Sequence, residues 1–444
     1  MSSKKIKAQL WDNMQFYFKA YNDATMRSAF FLDGVINVEV FKKALQAVVE
    51  KFPIANSRFV RNPIKSYWRM NTDFSAENFF EVFETTSVNH RSRVEKFIVQ
   101  QIDPTNQLPL KTAIFRKTEN GKTVDCLVFL FSHMVADGSG FSLFIKAMAD
   151  TYNGMLKNPD YACKYNMGDR DYKQFYKYMS EEDRLKAKKM TNYRFEKNER
   201  PTLPVKKYEA SNERRIITRR IDGFHLIRKY CKRHGFTFND VILAAYLTTL
   251  KKHVALAPDE FLAVDCVLNL RRYMPSDAEV NFCNLVSKVK VNVGNELGAD
   301  FFDTCKIVHE YMEKSKNELG GLGGLTLLNL MDRIFPFEIG KILIKIFYQN
   351  PLIGLSNIGK LDKKHVTFGD LNIEDLIMTG TVKYAPYMLL SLITYEDSIF
   401  FCIAEACADE DFKIFEELLN DIADLLETIK SAAFVTPQEK VGVN

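Results

Sequence analysis

The chain has 444 residues, 46% of them hydrophobic and 13% aromatic, with a formal net charge of +5. That length can bury one large or two medium globular cores. The charge is too mild to imply a nucleic-acid partner, and the longest apolar stretch, 319–331, is glycine-rich and falls short of the roughly 18 residues that span a bilayer.

The start, Met1-Ser-Ser-Lys-Lys-Ile-Lys, lacks the apolar core of a signal peptide. Eight cysteines lie scattered at 126, 163, 231, 266, 283, 305, 402 and 407, with no C-x-x-C pair. Both features predict a cytoplasmic protein with reduced, mostly buried thiols. The histidines at 90, 225, 234, 253, 309 and 365 show no metal-ligand spacing with each other or with the cysteines, so no metal is expected.

In chain order, the first informative element is the apolar run 127–131, whose Val128, Leu130 and Phe131 suit a buried strand. It ends in Ser132 and His133; Asp137, Gly138 and Gly140 then punctuate a loop. Leu143, Phe144, Ala147, Met148 and Tyr152 recur at helical spacing, which predicts a helix over 141–152 with Gly154 as its stop. One histidine and one aspartate thus sit at the exit of a buried strand.

Residues 156–214 are rich in charge. The stretch 184–220 holds thirteen Lys/Arg against four Glu, with Pro201 and Pro204 in its middle. This predicts an N-terminal lobe over 1–180, a basic linker over 181–214 and a C-terminal lobe over 215–444. The second half opens with a helix over 239–251 and a strand over 261–270. A strand over 285–293 follows, alternating Val286, Val289, Val291 and Val293 with Lys288 and Lys290. Glycines 320–324 break a helical region; the cluster lacks the last glycine of a dinucleotide fingerprint. An amphipathic helix over 337–348 is expected to face the core, followed by strands over 382–406 and a last helix over 412–429. Around Ser356, Ile358 replaces the residue that a nucleophile elbow would need as glycine.

His133-x-x-x-Asp137-Gly138 resembles the H-x-x-x-D-G signature of the chloramphenicol-acetyltransferase-like superfamily. That superfamily includes alcohol O-acyltransferases, wax ester synthases and the condensation domains of peptide synthetases. Other segments match in order: RSAFFLDGVIN from Arg27, DPTNQLPLK from Asp103, GFTFNDVILAA from Gly235, VLNLRRYMP from Val267 to Pro275, and LSNIG from Leu355 to Gly359. The resemblance therefore covers nearly the whole chain. It departs at Ser132, where many relatives carry a first histidine, and at Thr367-Phe-Gly-Asp370, which lacks the tryptophan of the D-F-G-W-G box found in the superfamily's plant BAHD acyltransferases.

The resemblance implies an α/β fold of two similar lobes, each a mixed β-sheet with flanking helices, and an active-site tunnel where the lobes meet. It makes His133 the catalytic general base. It also pairs Asp137 with Arg271 to hold the loop, and gives Gly138 a positive φ or a close backbone approach. Ser132, Ser356 and Asn357 become candidates for contact with substrate or oxyanion. The implied reaction moves an acyl group from acyl-CoA, a co-substrate rather than a bound cofactor, to an alcohol or amine acceptor, as in the bacterial alcohol O-acetyltransferase-like proteins. The alternatives are a condensation-type enzyme fed by an acyl carrier protein thioester, a wax ester or diacylglycerol synthase, and a non-catalytic binding member. The basic stretch is expected to be a solvated linker; its other use would be docking the phosphates of coenzyme A or an acidic carrier protein.

Overall fold

Two mixed sheets organise the chain in the computed structural model, which describes residues 4–72, 75–86, 88–189, 202–256, 260–293, 297–319, 321–347 and 353–432. The first half runs β1 (Lys5–Lys7), α1 (Leu10–Tyr17), β2 (Thr25–Leu32), α2 (Val38–Lys51), β3 (Ser57–Val60), β4 (Tyr67–Met70), β5 (Phe80–Thr85), α3 (His90–Ile98), β6 (Leu110–Glu119), β7 (Lys122–Ser132), α4 (Gly138–Lys157) and α5 (Glu181–Lys189). Next come β8 (Glu213–Asp222), α6 (Phe224–His234), α7 (Phe238–His253), β9 (Ala263–Asn269), β10 (Val286–Asn292), α8 (Phe301–Asn317), α9 (Leu322–Ile334) and α10 (Phe337–Phe347). The chain closes with β11 (Ile353–Leu361), β12 (Ile373–Thr379), β13 (Lys383–Tyr384), β14 (Met388–Tyr395), β15 (Ser398–Cys407) and α11 (Phe412–Ala432).

The first sheet has the order β12-β2-β7-β6-β5, and the second β10-β9-β11-β14-β15-β13 with β8 on β15. Both mix parallel and antiparallel pairs. The α/β fold of two lobes is therefore present, with one feature that the sequence order hides. Strand β12 comes from the second half, yet it pairs with β2 from Thr379↔Arg27 to Ile373↔Leu32.

Strand β7 explains the apolar run. Leu127, Phe129 and Phe131 enter the main core beneath α2 and α4, while Cys126, Val128 and Leu130 enter a smaller core under α3. A strand buried on both faces reads as continuous hydrophobicity rather than alternation. In the second lobe, α7 and α11 lie over the other sheet, and Leu390, Leu392, Phe401 and Ile403 fill the space between.

Several local expectations change. Helix α4 continues through Gly154, because the glycine's role is proximity: a Cβ there would stand 2.3 Å from the Tyr161 ring. At the two ends of the expected linker lie α5, which runs to Lys189, and β8, which starts at Glu213. Two of the four arginines of β8 are in ion pairs, Arg215 with Glu213 and Asp409, and Arg220 with Asp222. Residues 190–201, including Pro201, lie outside the described residues, as do Gly320 and Tyr348. Helix α10 does not face the core all round. It buries Phe337 and Ile344 but leaves Ile339, Ile342 and Ile346 exposed.

Candidate active site

The site begins where β7 runs out of sheet partners. Ser132 still pairs with Thr25, and the next residue, His133, donates its backbone N–H to the Ala24 carbonyl at 2.8 Å. The chain then turns, and Asp137 caps α4 by accepting the Gly140 N–H on Oδ1 at 2.9 Å. A side-chain acceptor at this position satisfies one of the orphan donors of the first helical turn. The histidine is thus fixed between a strand end and a helix start.

Three side chains from distant parts of the sequence hold this turn. Arg271 Nη1 meets Asp137 Oδ2 at 2.8 Å, with the side chains 11% and 2% exposed, and the same oxygen accepts the Leu285 N–H at 2.7 Å. Arg170 bonds the Val135 carbonyl at 3.0 Å and is anchored by both oxygens of Asp12 at 3.0 and 2.8 Å. Asn284 donates from Nδ2 to the carbonyls of His133 at 2.9 Å and Met134 at 3.3 Å.

Asn284 also decides the state of the imidazole. Because its Nδ2 faces two carbonyls, its Oδ1 is the atom 3.1 Å from His133 Nδ1. An amide oxygen only accepts, so Nδ1 carries the proton and the lone pair lies on Nε2. Burial lowers the imidazole pKa below its ordinary value. A hydrogen bond to its own backbone, the Asp137 charge and Asn284 oppose this, and the charge of Lys383 adds to the lowering. At neutral pH the group is a neutral base with a free Nε2.

The other candidates divide. Ser132 is fully buried, and its hydroxyl accepts the Met134 N–H at 3.4 Å. Gly138 is the first residue of α4; it is not among the positive-φ glycines, and a Cβ would meet only Ile358 at 3.4 Å. The close approach belongs to Gly140, where a Cβ would lie 2.9 Å from the Ala136 Cβ and 3.3 Å from the Cys283 backbone. Asn357 is occupied locally: its Oδ1 accepts the Gly359 N–H at 2.9 Å across a bulge in β11, and its Nδ2 donates to Asn239 at 2.7 Å. Ser356 is half-buried on the same strand, and its hydroxyl has no hydrogen-bond partner among the described residues.

The condensation-domain family model matches residues 7–256, more than half of the chain. The protein belongs to the condensation-domain family. A second model, the WS/DGAT C-terminal domain, matches residues 283–430. Comparison with curated proteins found no match. Among solved structures, the chain is similar to the trichothecene 15-O-acetyltransferase TRI3 from Fusarium sporotrichioides, with a TM-score of 0.69, 13% identity, and 97% of this chain and 96% of that one covered. It is also similar to the first condensation domain of the calcium-dependent antibiotic synthetase, with a TM-score of 0.68, 13% identity and 100% of both chains covered. For polyketide synthase associated protein 5 from Mycobacterium tuberculosis the TM-score is 0.62, with 14% identity and 97% and 100% coverage. The two family matches place the chain in the chloramphenicol-acetyltransferase-like superfamily, and these likenesses show that it shares the fold.

Besides Asn284 and Arg170, this condensation-family protein brings Lys383 to the site, and no sequence motif flagged it. Strand β13 is sandwiched: Lys383 pairs with Glu405 of β15 on one side and bridges Asn22 on the other, two residues before the Ala24 carbonyl that receives His133. Burial lowers the Lys383 pKa to about 8, opposed by Glu405 and Asp23 and reinforced by Lys288. Glu405 is fully buried, and among the described residues neither carboxylate oxygen has a well-formed hydrogen bond. Burial pushes its carboxyl well above the usual range, against the pull of Lys383 and of the Leu389 backbone N–H. The only sign of this pair in the sequence was a glutamate inside an apolar strand.

Proposed function

We propose that the protein transfers an acyl group from an acyl-CoA thioester to a hydroxyl acceptor, with His133 Nε2 as general base. The observation that carries this reading is the Asn284 clamp, which fixes the Nδ1–H tautomer and leaves Nε2 as the one basic atom of the ring. The acceptor oxygen attacks the thioester carbonyl while Nε2 takes its proton. The tetrahedral intermediate then collapses, the C–S bond breaks, and the imidazolium returns the proton to the leaving thiolate. A general base of this kind contributes about 10²–10⁴-fold. The free hydroxyl of Ser356 is the candidate donor to the oxyanion.

A thioester is already activated, so the step needs neither a metal nor a covalent enzyme intermediate. Asp137 and Arg271 hold the loop and take no part in proton transfer. A second reading, with the thioester carried on an acyl carrier protein, is supported by the condensation-domain family match. The WS/DGAT C-terminal match supports a long-chain or lipid-type substrate pair.

The test is release of free thiol from acyl-CoAs of graded chain length, with mixed alcohols and amines, by wild type and by folded His133→Ala. Acceptor-dependent release that is lost in the variant supports the proposal. Release that survives the substitution removes His133 from the mechanism. Turnover with acyl-carrier thioesters alone selects the second reading.

A further inference from the structure

Helix α10 carries two apolar stripes and buries only one. On the inner side, Phe337 packs against Phe16, Tyr17 and Phe59 with ring centroids 5.3, 5.1 and 6.1 Å away, and Gly340 and Ile344 follow at helical spacing. On the opposite side, Ile339, Ile342 and Ile346 recur at i, i+3 and i+7 and are 46%, 57% and 64% exposed. The stripe continues onto Ile334 at the end of α9 and Phe335 in the junction, 61% and 39% exposed. It also reaches Ile64, 82% exposed, in a loop tied to the helix start by the Phe337 N–H to Pro63 carbonyl bond.

Isolated exposed hydrophobic residues are ordinary, but a contiguous set on one face marks a contact surface. Its charge identifies the partner. Arg61, Lys65, Arg333, Lys341 and Lys345 are all exposed beside the stripe. The acids of the same segments are Glu338, 4.0 Å from Arg61, and Asp332, which accepts from Asn13. Lys345 borders the isoleucines on α10 beside Glu338, while Lys341 reaches over the Phe16 ring at 5.9 Å at the edge of the face. Long cationic side chains in that position can lay their stems on an apolar layer and reach anionic head groups. A second copy of the chain meeting this face would set like charges against like, and a protein interface tends to exclude charge from its centre.

We propose that the α9–α10 face binds the surface of an anionic phospholipid bilayer, with α10 lying in the plane of the head groups. No helix among the described residues is long and apolar enough to cross a membrane, so the attachment is peripheral. This inference stands independently of the acyl-transfer reading.

The test is flotation of the full-length protein with phosphatidylcholine vesicles, with and without phosphatidylglycerol. Wild type should float with the anionic vesicles, and less so as salt rises. Ile339→Asp/Ile342→Asp/Ile346→Asp should remain in the vesicle-free fractions, and Lys341→Gln/Lys345→Gln should show an intermediate bound fraction. These side chains face solvent, so unchanged circular dichroism and thermal unfolding are expected and serve as the folding control. Equal flotation of wild type and the folded isoleucine variant would overturn the proposal. So would wild type that ignores vesicles, including one that forms a dimer abolished by the isoleucine changes, which would assign the face to a second copy.

Discussion

Asn284 grips His133 at two points, donating to its carbonyl from Nδ2 and accepting from its imidazole on Oδ1. The two residues are 151 positions apart, so the base is oriented by the opposite half of the chain. In Asn284→Ala both contacts vanish, and two carbonyls and a ring nitrogen lose their partner. Each buried group left unpaired costs about 1–3 kcal/mol. Turnover should therefore fall on the order of ten- to a hundredfold, with a smaller change in KM. Steady-state kinetics on the folded variant check this, and unchanged kcat would show that the clamp does not orient the base.

The pH dependence follows from the lowered pKa of His133. The rate requires a neutral imidazole, so kcat/KM should rise with pH through a midpoint below 6.5, the group's ordinary value. A nearby cation disfavours imidazolium, so removing it makes protonation easier. Lys383→Met should accordingly move the acid limb to higher pH, which a merely structural substitution would not do. A pH–rate profile of the two proteins decides.

Glu405 provides a test by stability. Its carboxyl is neutral in the fold to a pH well above its usual 4.5. The folded state thus holds a proton that the unfolded state releases. The associated stability is complete below pH 4.5 and declines as pH rises towards the folded-state pKa. Glu405→Gln keeps the shape without the decline, so its melting temperature should gain on wild type as pH rises. A variant that melts lower at neutral pH would mean an ionised carboxylate serving Lys383.

Asp137 and Arg271 should behave as a structural pair. Removing one partner leaves a buried charge alone, which costs about 3–5 kcal/mol. Asp137→Ala is expected to lose stability of that order, and the double variant Asp137→Ala/Arg271→Met to regain part of it. Denaturant unfolding of Asp137→Ala, Arg271→Met and the double variant gives the coupling energy. Strict additivity would rule out the pair as the hold on the loop.

Gly140→Ala should destabilise although alanine favours helices. The new methyl would sit 2.9 Å from the Ala136 Cβ and 3.3 Å from the Cys283 backbone, at the joint between the two halves. Overpacking of this kind typically costs about 1–3 kcal/mol. A thermal melt equal to wild type would mean that the joint yields freely.

Legibility in the sequence followed the range of the physics. Strand β7, the loop and α4 could be read because their signals are local: an apolar run, turn residues and a helical period, all within thirty-odd positions. Asp137 and Arg271 were paired by resemblance alone. Asn284 and Arg170 escaped because each acts through side-chain bonds to carbonyls far away in sequence, which leave no periodic trace. Arg170 moreover sat in the charge-rich stretch 156–214, where no motif singled it out. Helix α10 misled for a different reason: a sequence of apolar residues shows that a face is hydrophobic, not what covers it. Gly138 was placed correctly along the chain, but backbone geometry, which only the fold supplies, gave the close approach to Gly140 instead.

The passage of β12 into the first sheet makes the two halves mechanically inseparable. Pulling them apart would strip a ladder from Thr379↔Arg27 to Ile373↔Leu32 and expose the edge of β2, whose residues are almost all buried. The ladder thus opposes dissociation of the two halves, while hinge motion about the links that flank β12 leaves it intact. Heat should accordingly melt both sheets in one calorimetric peak, and a backbone nick between the halves should leave a particle that still migrates whole.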